Sequence, residues 1–188
     1  QLDNVFTLVQ NGHDEQGNLL LTRTNASGAR VAGANLEAKV AYGRLFSLQA
    51  GYTYNYSRYI EPFQLSEDLA PQTRMFRTPD HHAYFLANIE PVPGLKLTTN
   101  GKITGRMLLQ HYAGYVEADC ETLSPIFFEW DAKVSYEIHL YSNKTSHTPY
   151  TLEFALGAKN LLDHFQRDID QGMDRDAAYI YGPAIPRS

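Results

Sequence analysis

The 188-residue sequence contains a single cysteine, Cys120. One thiol excludes both an internal disulfide framework and a zinc site of the Cys-X-X-Cys kind, because each needs at least two. Positive charge is also scarce: 16 Lys and Arg face 21 Asp and Glu, and no basic block stands out. Proteins that bind nucleic acid through its phosphates need such basic surfaces. We therefore expect no nucleic-acid partner.

Long apolar runs are missing as well. The longest, such as residues 19–21 and 83–87, fall far short of the ~18 residues that a membrane-spanning helix needs. The sequence starts at Gln1 with no basic-then-apolar leader, so a signal peptide is expected either to have been removed or never to have belonged to this stretch. No helix is expected to cross a bilayer.

Motifs of enzyme and metal chemistry are absent too. The sequence has no GxGxxG, Walker-type or HExxH motif, so we expect no enzyme and no cofactor. His81 and His82 are neighbours on a predicted strand, and their side chains should point to opposite faces, which disfavours chelation of one ion. Two further polar groups are interpreted as solvated loops: Glu117, Asp119, Cys120 and Glu121; and Asp163, His164, Arg167, Asp168 and Asp170.

What the sequence does contain is a long period of two. From Leu95 to Leu109 the odd positions are mostly apolar or small, and the even positions from Lys96 to Arg106 are polar or charged. This alternation is typical of a β-strand with two different faces. The same pattern occupies residues 32–42, 46–56, 83–90, 126–140 and 150–158. With a hairpin from residues 4–10 and 19–24, we predict about eight strands.

The breaks between these strands alternate between two kinds. Short turns are predicted at residues 43–44, 91–94 and, somewhat longer, 141–149. Long polar connections are predicted at residues 58–80, 110–125 and 163–178. Short turns on one side and long connections on the other indicate an all-β, antiparallel up-and-down meander.

Two architectures fit this pattern. Soluble strands usually have about 5 or 6 residues, whereas residues 95–109 and 126–140 alternate over their whole length, which favours a transmembrane β-barrel. Its apolar face would meet lipid, and tyrosines near the strand ends would form interfacial girdles. The alternative is a soluble β-sandwich that binds carbohydrate, with tyrosines and Trp130 as stacking surfaces.

Several segments resemble one family. These are residues 25–37 followed by 48–54, Arg77-Thr78-Pro79-Asp80-His81-His82, Pro91-Val92-Pro93-Gly94-Leu95, Gly157-Ala158-Lys159-Asn160-Leu161-Leu162-Asp163, and residues 181–188. Together they resemble the carboxy-terminal half of the barrel of TonB-dependent outer-membrane receptors, especially those of Bacteroidetes type. The family's plug domain, TonB box and closing strand have no counterpart. The resemblance therefore implies that residues 1–188 are a partial C-terminal barrel domain of a larger receptor.

The resemblance implies active uptake across the outer membrane of a Gram-negative cell. The partners would be outer-membrane lipid, the TonB energy-transducing complex and an imported small ligand. A ferric siderophore or other iron complex is the usual cargo, with haem, cobalamin, other metal complexes or glycans as alternatives.

The long connections and the barrel interior are the expected places for ligand contacts, because the connections would lie outside the cell. Charged residues on the polar strand faces should point inward. The candidate ligand-binding residues are Arg74, Arg77, His82, Arg106, Tyr112, Tyr115 and Arg167.

Overall fold

A computed structural model describes residues 6–25, 28–66, 69–140 and 150–188. These ranges contain strands and no helix, so none of their elements is a helix able to cross a membrane. The strands are β1 (Phe6–His13), β2 (Leu19–Asn25), β3 (Ala29–Tyr42), β4 (Phe46–Phe63), β5 (Gln72–Arg74), β6 (His81–Val92), β7 (Leu95–Thr104), β8 (Leu108–His111), β9 (Cys120–Leu123), β10 (Phe127–Leu140) and β11 (Tyr150–Ala158).

The long strands form one open antiparallel sheet in the order β11-β10-β7-β6-β4-β3, and β5 pairs with β4. Strands β1 and β2 form a separate hairpin, and so do β8 and β9. Gly43 and Gly94, with φ of 52° and 85°, allow the tight connections β3–β4 and β6–β7. The predicted all-β, antiparallel up-and-down arrangement is confirmed, with β3 and β11 as the edges of the described sheet.

Two predicted strand boundaries are wrong. Strand β4 continues to Phe63, beyond the predicted start of the first long connection. The predicted strand over residues 95–109 ends instead at Thr104. There the Gly105 N–H donates to the His81 carbonyl at 2.8 Å, and the chain leaves the sheet to form β8. Met107 and Leu109 continue the apolar alternation of the sequence, but they pack with Tyr179 and not on the sheet.

The predicted number of strands also needs correction. Three short strands, β5, β8 and β9, lie in or beside segments that were predicted to be long connections. Backbone groups that are shielded from water need hydrogen-bond partners. Strand β5 finds them on β4, and β8 and β9 find them on each other. The predicted turn at residues 141–149 lies outside the described residues, as do residues 4 and 5 of the predicted first strand.

Within the described ranges, the apolar face of this sheet is uncovered. Leu36 and Leu156 are 72% and 76% exposed, and Val40, Leu97 and Val134 are exposed as well. No element of the described ranges packs over this face as a second layer. Tyrosines on it fall into two bands: Tyr42, Tyr136 and Tyr150 beside the short connections, and Tyr52, Tyr54 and Tyr56 toward the long ones.

The opposite face carries charged side chains that pair between strands. Lys96 pairs with Glu137, Lys102 with Glu129 at 3.1 Å, and Lys133 with Glu153 at 3.3 Å. These pairs balance charge locally, although exposed ion pairs add little stability.

Candidate functional site

A buried apolar cluster lies at the end of the sheet where the long connections meet. We call the assembly of residues 105–125 and 159–188 the loop-end cluster. Its apolar centre is formed by Met107, Leu109 and Tyr179, with Tyr181 packed against them. Leu109 is fully buried. The long connections are therefore a packed structure with its own core.

A histidine–aspartate pair is buried in this cluster. The imidazole Nε2 of His111 lies 2.7 Å from Asp170 Oδ2, and both side chains are almost completely shielded from solvent. The ring of Tyr179 stacks on that of His111 with centroids 3.7 Å apart. Asp170 also accepts a hydrogen bond from the Asp176 N–H at 3.0 Å. The pair thus ties β8 to the loop around Asp170.

Gln166 joins two parts of the carboxy-terminal segment. Its side-chain amide donates to the Tyr179 carbonyl at 2.9 Å. Its side-chain oxygen accepts from the N–H groups of Tyr181 and Gly182 at 2.8 and 3.0 Å. Because buried polar groups need partners, this one side chain fixes the spacing between residues 165–167 and 179–182.

Asn160 anchors the same segment to the sheet. Its N–H donates to Asp131 Oδ1 at 2.8 Å, and its side-chain amide donates to the carbonyls of His164 and Ile185. Its side-chain oxygen accepts from the His164 N–H at 3.0 Å. Asp131 belongs to the polar face of β10. The carboxy-terminal segment is therefore bonded to the polar face, whereas the apolar face stays uncovered.

A depression of about 350 Å³ opens beside this segment. Its walls include aromatic rings and one carboxylate, from Phe127, Phe165, Asp168, Tyr179 and Tyr181. Asp168 accepts a hydrogen bond from the Tyr181 hydroxyl at 2.8 Å. Burial, followed by this hydrogen bond, raises the pKa of Tyr181, so the phenol stays protonated. The depression offers ring faces for stacking and a polar edge for hydrogen bonds.

Arg167 stands at the rim of this depression. Its guanidinium lies over the Phe165 ring at 4.9 Å and donates to Asp163 Oδ2 at 3.0 Å. Of the candidates from the sequence, this is the one placed at the depression.

Arg77 has a structural use. Its N–H donates to the Leu108 carbonyl at 2.8 Å, and its guanidinium donates to the carbonyls of Ala178 and Ile180. It therefore joins three connections that are far apart in the sequence.

Arg74 and Arg106 lie next to each other. Arg74 donates to the Arg106 carbonyl at 3.1 Å and pairs with Asp80 at 2.9 Å. The Arg106 side chain is exposed.

Of the remaining candidates, two lie in the loop-end cluster and one lies on the sheet. The Tyr112 N–H donates to Asp176 Oδ2 at 3.1 Å, and Tyr115 stacks at 6.5 Å from His111, so both belong to the loop-end cluster. His82 lies on β6, paired with Thr53 and Thr104, and does not join this group. A ligand-binding role for any of the seven stays a prediction.

The interpretation of residues 117–121 as a solvated acidic loop is wrong for two residues. Asp119 is 8% exposed, and its Oδ1 accepts from the Ala113 N–H at 2.7 Å. Glu121 is half-buried and accepts from the Gln72 side chain at 2.8 Å. Strand β9 pairs with β8 and carries these carboxylates into the packed cluster.

Replacing Glu121 with Gln should flatten the pH dependence of the loop-end cluster. Burial raises the pKa of Glu121, so its contribution to stability is full below the ordinary value of about 4.3. That contribution is lost as pH rises through the higher folded-state pKa. Hydrogen exchange of β8 and β9 amides between pH 4 and 8 should therefore accelerate with pH in the native protein, after correction for intrinsic exchange.

Glu117→Gln is the matched control, because Glu117 is exposed. It should keep the native pH profile. An E121Q profile as steep as the native one would contradict the assignment to Glu121.

Among the residues that the structure describes, no three His, Cys, Asp or Glu side chains are grouped to hold a metal ion. The chemistry within the loop-end cluster is hydrogen bonding, ring stacking and charge pairing.

Comparison with protein families finds no matching model, and neither the curated proteins nor the solved structures give a significant match.

Proposed function

We propose that this chain forms part of the wall of an outer-membrane β-barrel of the TonB-dependent receptor class. In that role it serves the active uptake of a scarce ligand. The proposal rests on the motif resemblance and on the two faces of the sheet. The observation that carries it is the uncovered apolar face, which presents Leu36, Val40, Leu97, Val134 and Leu156 to the surroundings.

An apolar face of this extent needs an apolar neighbour. In a soluble sandwich, a second sheet about 10 Å away would supply it. No element in the described ranges occupies that position, and the carboxy-terminal segment bonds to the other face through Asn160 and Asp131. Lipid is the neighbour that requires no further protein layer. Trp130 is on this face too, where its indole N–H donates to Thr99 Oγ1 at 2.7 Å.

The separation of the tyrosine bands supports the same proposal. Tyr42 pairs with Phe46 at one end of β4, and Tyr56 lies ten residues further along that strand. Ten steps of ~3.3 Å cover ~33 Å, which projects to about 25 Å for a strand tilted by about 40°. That matches the height of the apolar band of a transmembrane barrel, about 25 Å.

The loop-end cluster would then lie on the extracellular side, as long connections do in such barrels. We propose that it contributes to binding of the cargo, a ferric siderophore or another iron complex. Haem, cobalamin, other metal complexes and glycans are the alternatives within the same class. Transport would draw its energy from the TonB complex, and no bond of the cargo would be made or broken.

The test is to express the complete reading frame that contains this sequence and to fractionate the cells. We expect the product in the outer membrane, with migration on a gel that changes on heating. In an iron-limited strain lacking the gene, it should restore growth on a ferric siderophore. A freely soluble monomer that binds carbohydrate would contradict the proposal and favour the sandwich.

A further inference from the structure

Three arginines stand side by side across strands β3, β4 and β5. Arg30 pairs directly with Arg58, and Arg58 pairs with Arg74. Like charges directly opposite each other destabilise a sheet. The row therefore needs negative charge from another source.

One carboxylate, that of Asp80, neutralises only part of this positive charge. Asp80 pairs with Arg58 at 3.2 Å and with Arg74 at 2.9 Å. Arg30 makes no ion pair with any residue in the described ranges, and its side chain is exposed. Glu61, the nearest acidic residue along β4, is also exposed and makes no ion pair there. Among the described residues, the row keeps an excess of positive charge.

The free end of this row is on the apolar side of the sheet. The Arg58 guanidinium lies over the Tyr56 ring at 4.8 Å, and Tyr56 shares the apolar face with Tyr54. Arg30 pairs with Arg58, so it has the same orientation. Both arginines stand just beyond the tyrosine band toward the long connections. A depression of about 300 Å³ is lined there by Arg30, Tyr56, Arg58, Tyr59, Ile60 and Thr73.

We propose that this arginine site binds the phosphate of a lipid headgroup at the outer surface of the membrane. Guanidinium groups bind phosphate through two parallel hydrogen bonds, and they suit this role better than lysine. Arg58 is already oriented by Asp80 and Tyr56, whereas Arg30, which has no ion-pair partner in the described ranges, would close on the phosphate. Tyr56 and Ile60 supply apolar surface beside the charge, as the attachment of acyl chains requires.

This inference rests on the proposed function, because the site faces lipid only if the apolar face does. A lipid phosphate fits better than free phosphate, since the site is open on the apolar side and lies at the level expected for headgroups. The two sources share one chemistry and are separated by experiment.

The test uses the protein from the complete reading frame, in nanodiscs of phosphatidylcholine with or without phosphatidic acid. Native mass spectrometry measures the phosphatidic acid that remains bound. Loss of one charge-assisted contact should weaken retention by about tenfold in R30Q. Retention by R30K should fall between that of the native protein and that of R30Q, because lysine keeps the charge and loses the paired hydrogen bonds. Arg175→Gln is the matched control, since Arg175 is exposed and makes no ion pair in the described ranges.

Equal retention by R30Q and the native protein would overturn the lipid site and leave the proposed function standing. Displacement of phosphatidic acid by an equal concentration of inorganic phosphate would also overturn it, in favour of free phosphate. A native protein that does not enter nanodiscs and shows no heat-modifiable form would overturn both, and this result is visible before any variant is made.

Discussion

In the proposed outer-membrane barrel, lysine at both Leu97 and Val134 will strongly reduce assembly into the membrane. The two residues are direct cross-strand partners on the apolar face of β7 and β10. A lysine on the lipid face costs about 2–4 kcal/mol at the bilayer midplane and less toward an interface. Leu97 and Val134 lie two residues from the band at Tyr136, so each costs less than that maximum, and two like charges placed opposite each other add repulsion. A combined loss of about 2–4 kcal/mol is a large part of a typical folding free energy of about 5–15 kcal/mol. The heat-modifiable species in the outer-membrane fraction measures the outcome.

The polar face supplies matched controls. Lys102→Ala and Lys133→Ala each remove one exposed ion pair, which costs about 0–1 kcal/mol. Both variants should assemble almost normally. The single variants Leu97→Lys, Ile103→Lys, Val134→Lys and Leu156→Lys should each assemble less well than these alanine variants. Equal losses on the two faces would contradict the assigned orientation of the sheet.

Asn160→Ala should release the carboxy-terminal segment from the sheet. The change removes three hydrogen bonds made by the side chain, and each is worth about 0.5–1.5 kcal/mol. Asn160 also has a φ of 49°, a region in which alanine costs about 1–2 kcal/mol more. We expect a loss of about 3–5 kcal/mol in local stability, seen as faster proteolysis and hydrogen exchange of residues 161–188.

Two variants separate these contributions. Asn160→Gly accepts the positive φ, so its remaining loss reports the hydrogen bonds. Asn160→Asp keeps the acceptor for the His164 N–H. It also sets a buried carboxylate oxygen against the carbonyls of His164 and Ile185, so its loss should be at least as large as that of Asn160→Gly. Protection of residues 161–188 in N160A equal to that in the native protein would show that Asn160 does not hold the segment.

The sheet could be predicted from the sequence because its two faces differ in chemistry. The period of two marks β3, β4, β6, β7, β10 and β11, and the alternation of short and long connections gives their order. The same difference between the faces holds the register of the sheet, since a shift by one residue would place Lys96 instead of Leu97 on the apolar face.

The end of β7 could not be predicted in this way. Met107 and Leu109 continue the alternation past Thr104, yet they pack in the loop-end cluster. The pattern shows which side chains are apolar and does not show what they contact. Gly105, where the chain leaves the sheet, fits the small-residue positions of the strand equally well.

The loop-end cluster depends on contacts between distant residues. His111 and Asp170 are 59 residues apart, and each looks like an ordinary polar loop residue in the sequence. Gln166 is buried because its side chain bonds to residues 179–182, and the sequence gives no sign of that contact either. Asn160 belongs to a segment that resembles a family motif, and its hydrogen bonds give that motif a physical role. The arginine candidates could be chosen from the predicted long connections and polar strand faces. Their partners within the chain, such as Asp80 for Arg74, could not be predicted.

Contact between the apolar face and lipid is tested most directly by spin labels placed along β7 in the complete protein. Cys120, the one thiol of this sequence, is exposed and would first be changed to Ser. Labels at Leu97 and Ile103 should then relax with oxygen, which concentrates in lipid, and labels at Lys96, Thr98 and Lys102 with an aqueous nickel reagent. We expect accessibility to oxygen and to the nickel reagent to alternate with a period of two along β7 when the protein is in membranes. Equal exposure of both sets to the nickel reagent, or protection of Leu97 and Ile103 from both reagents, would contradict a lipid-facing wall.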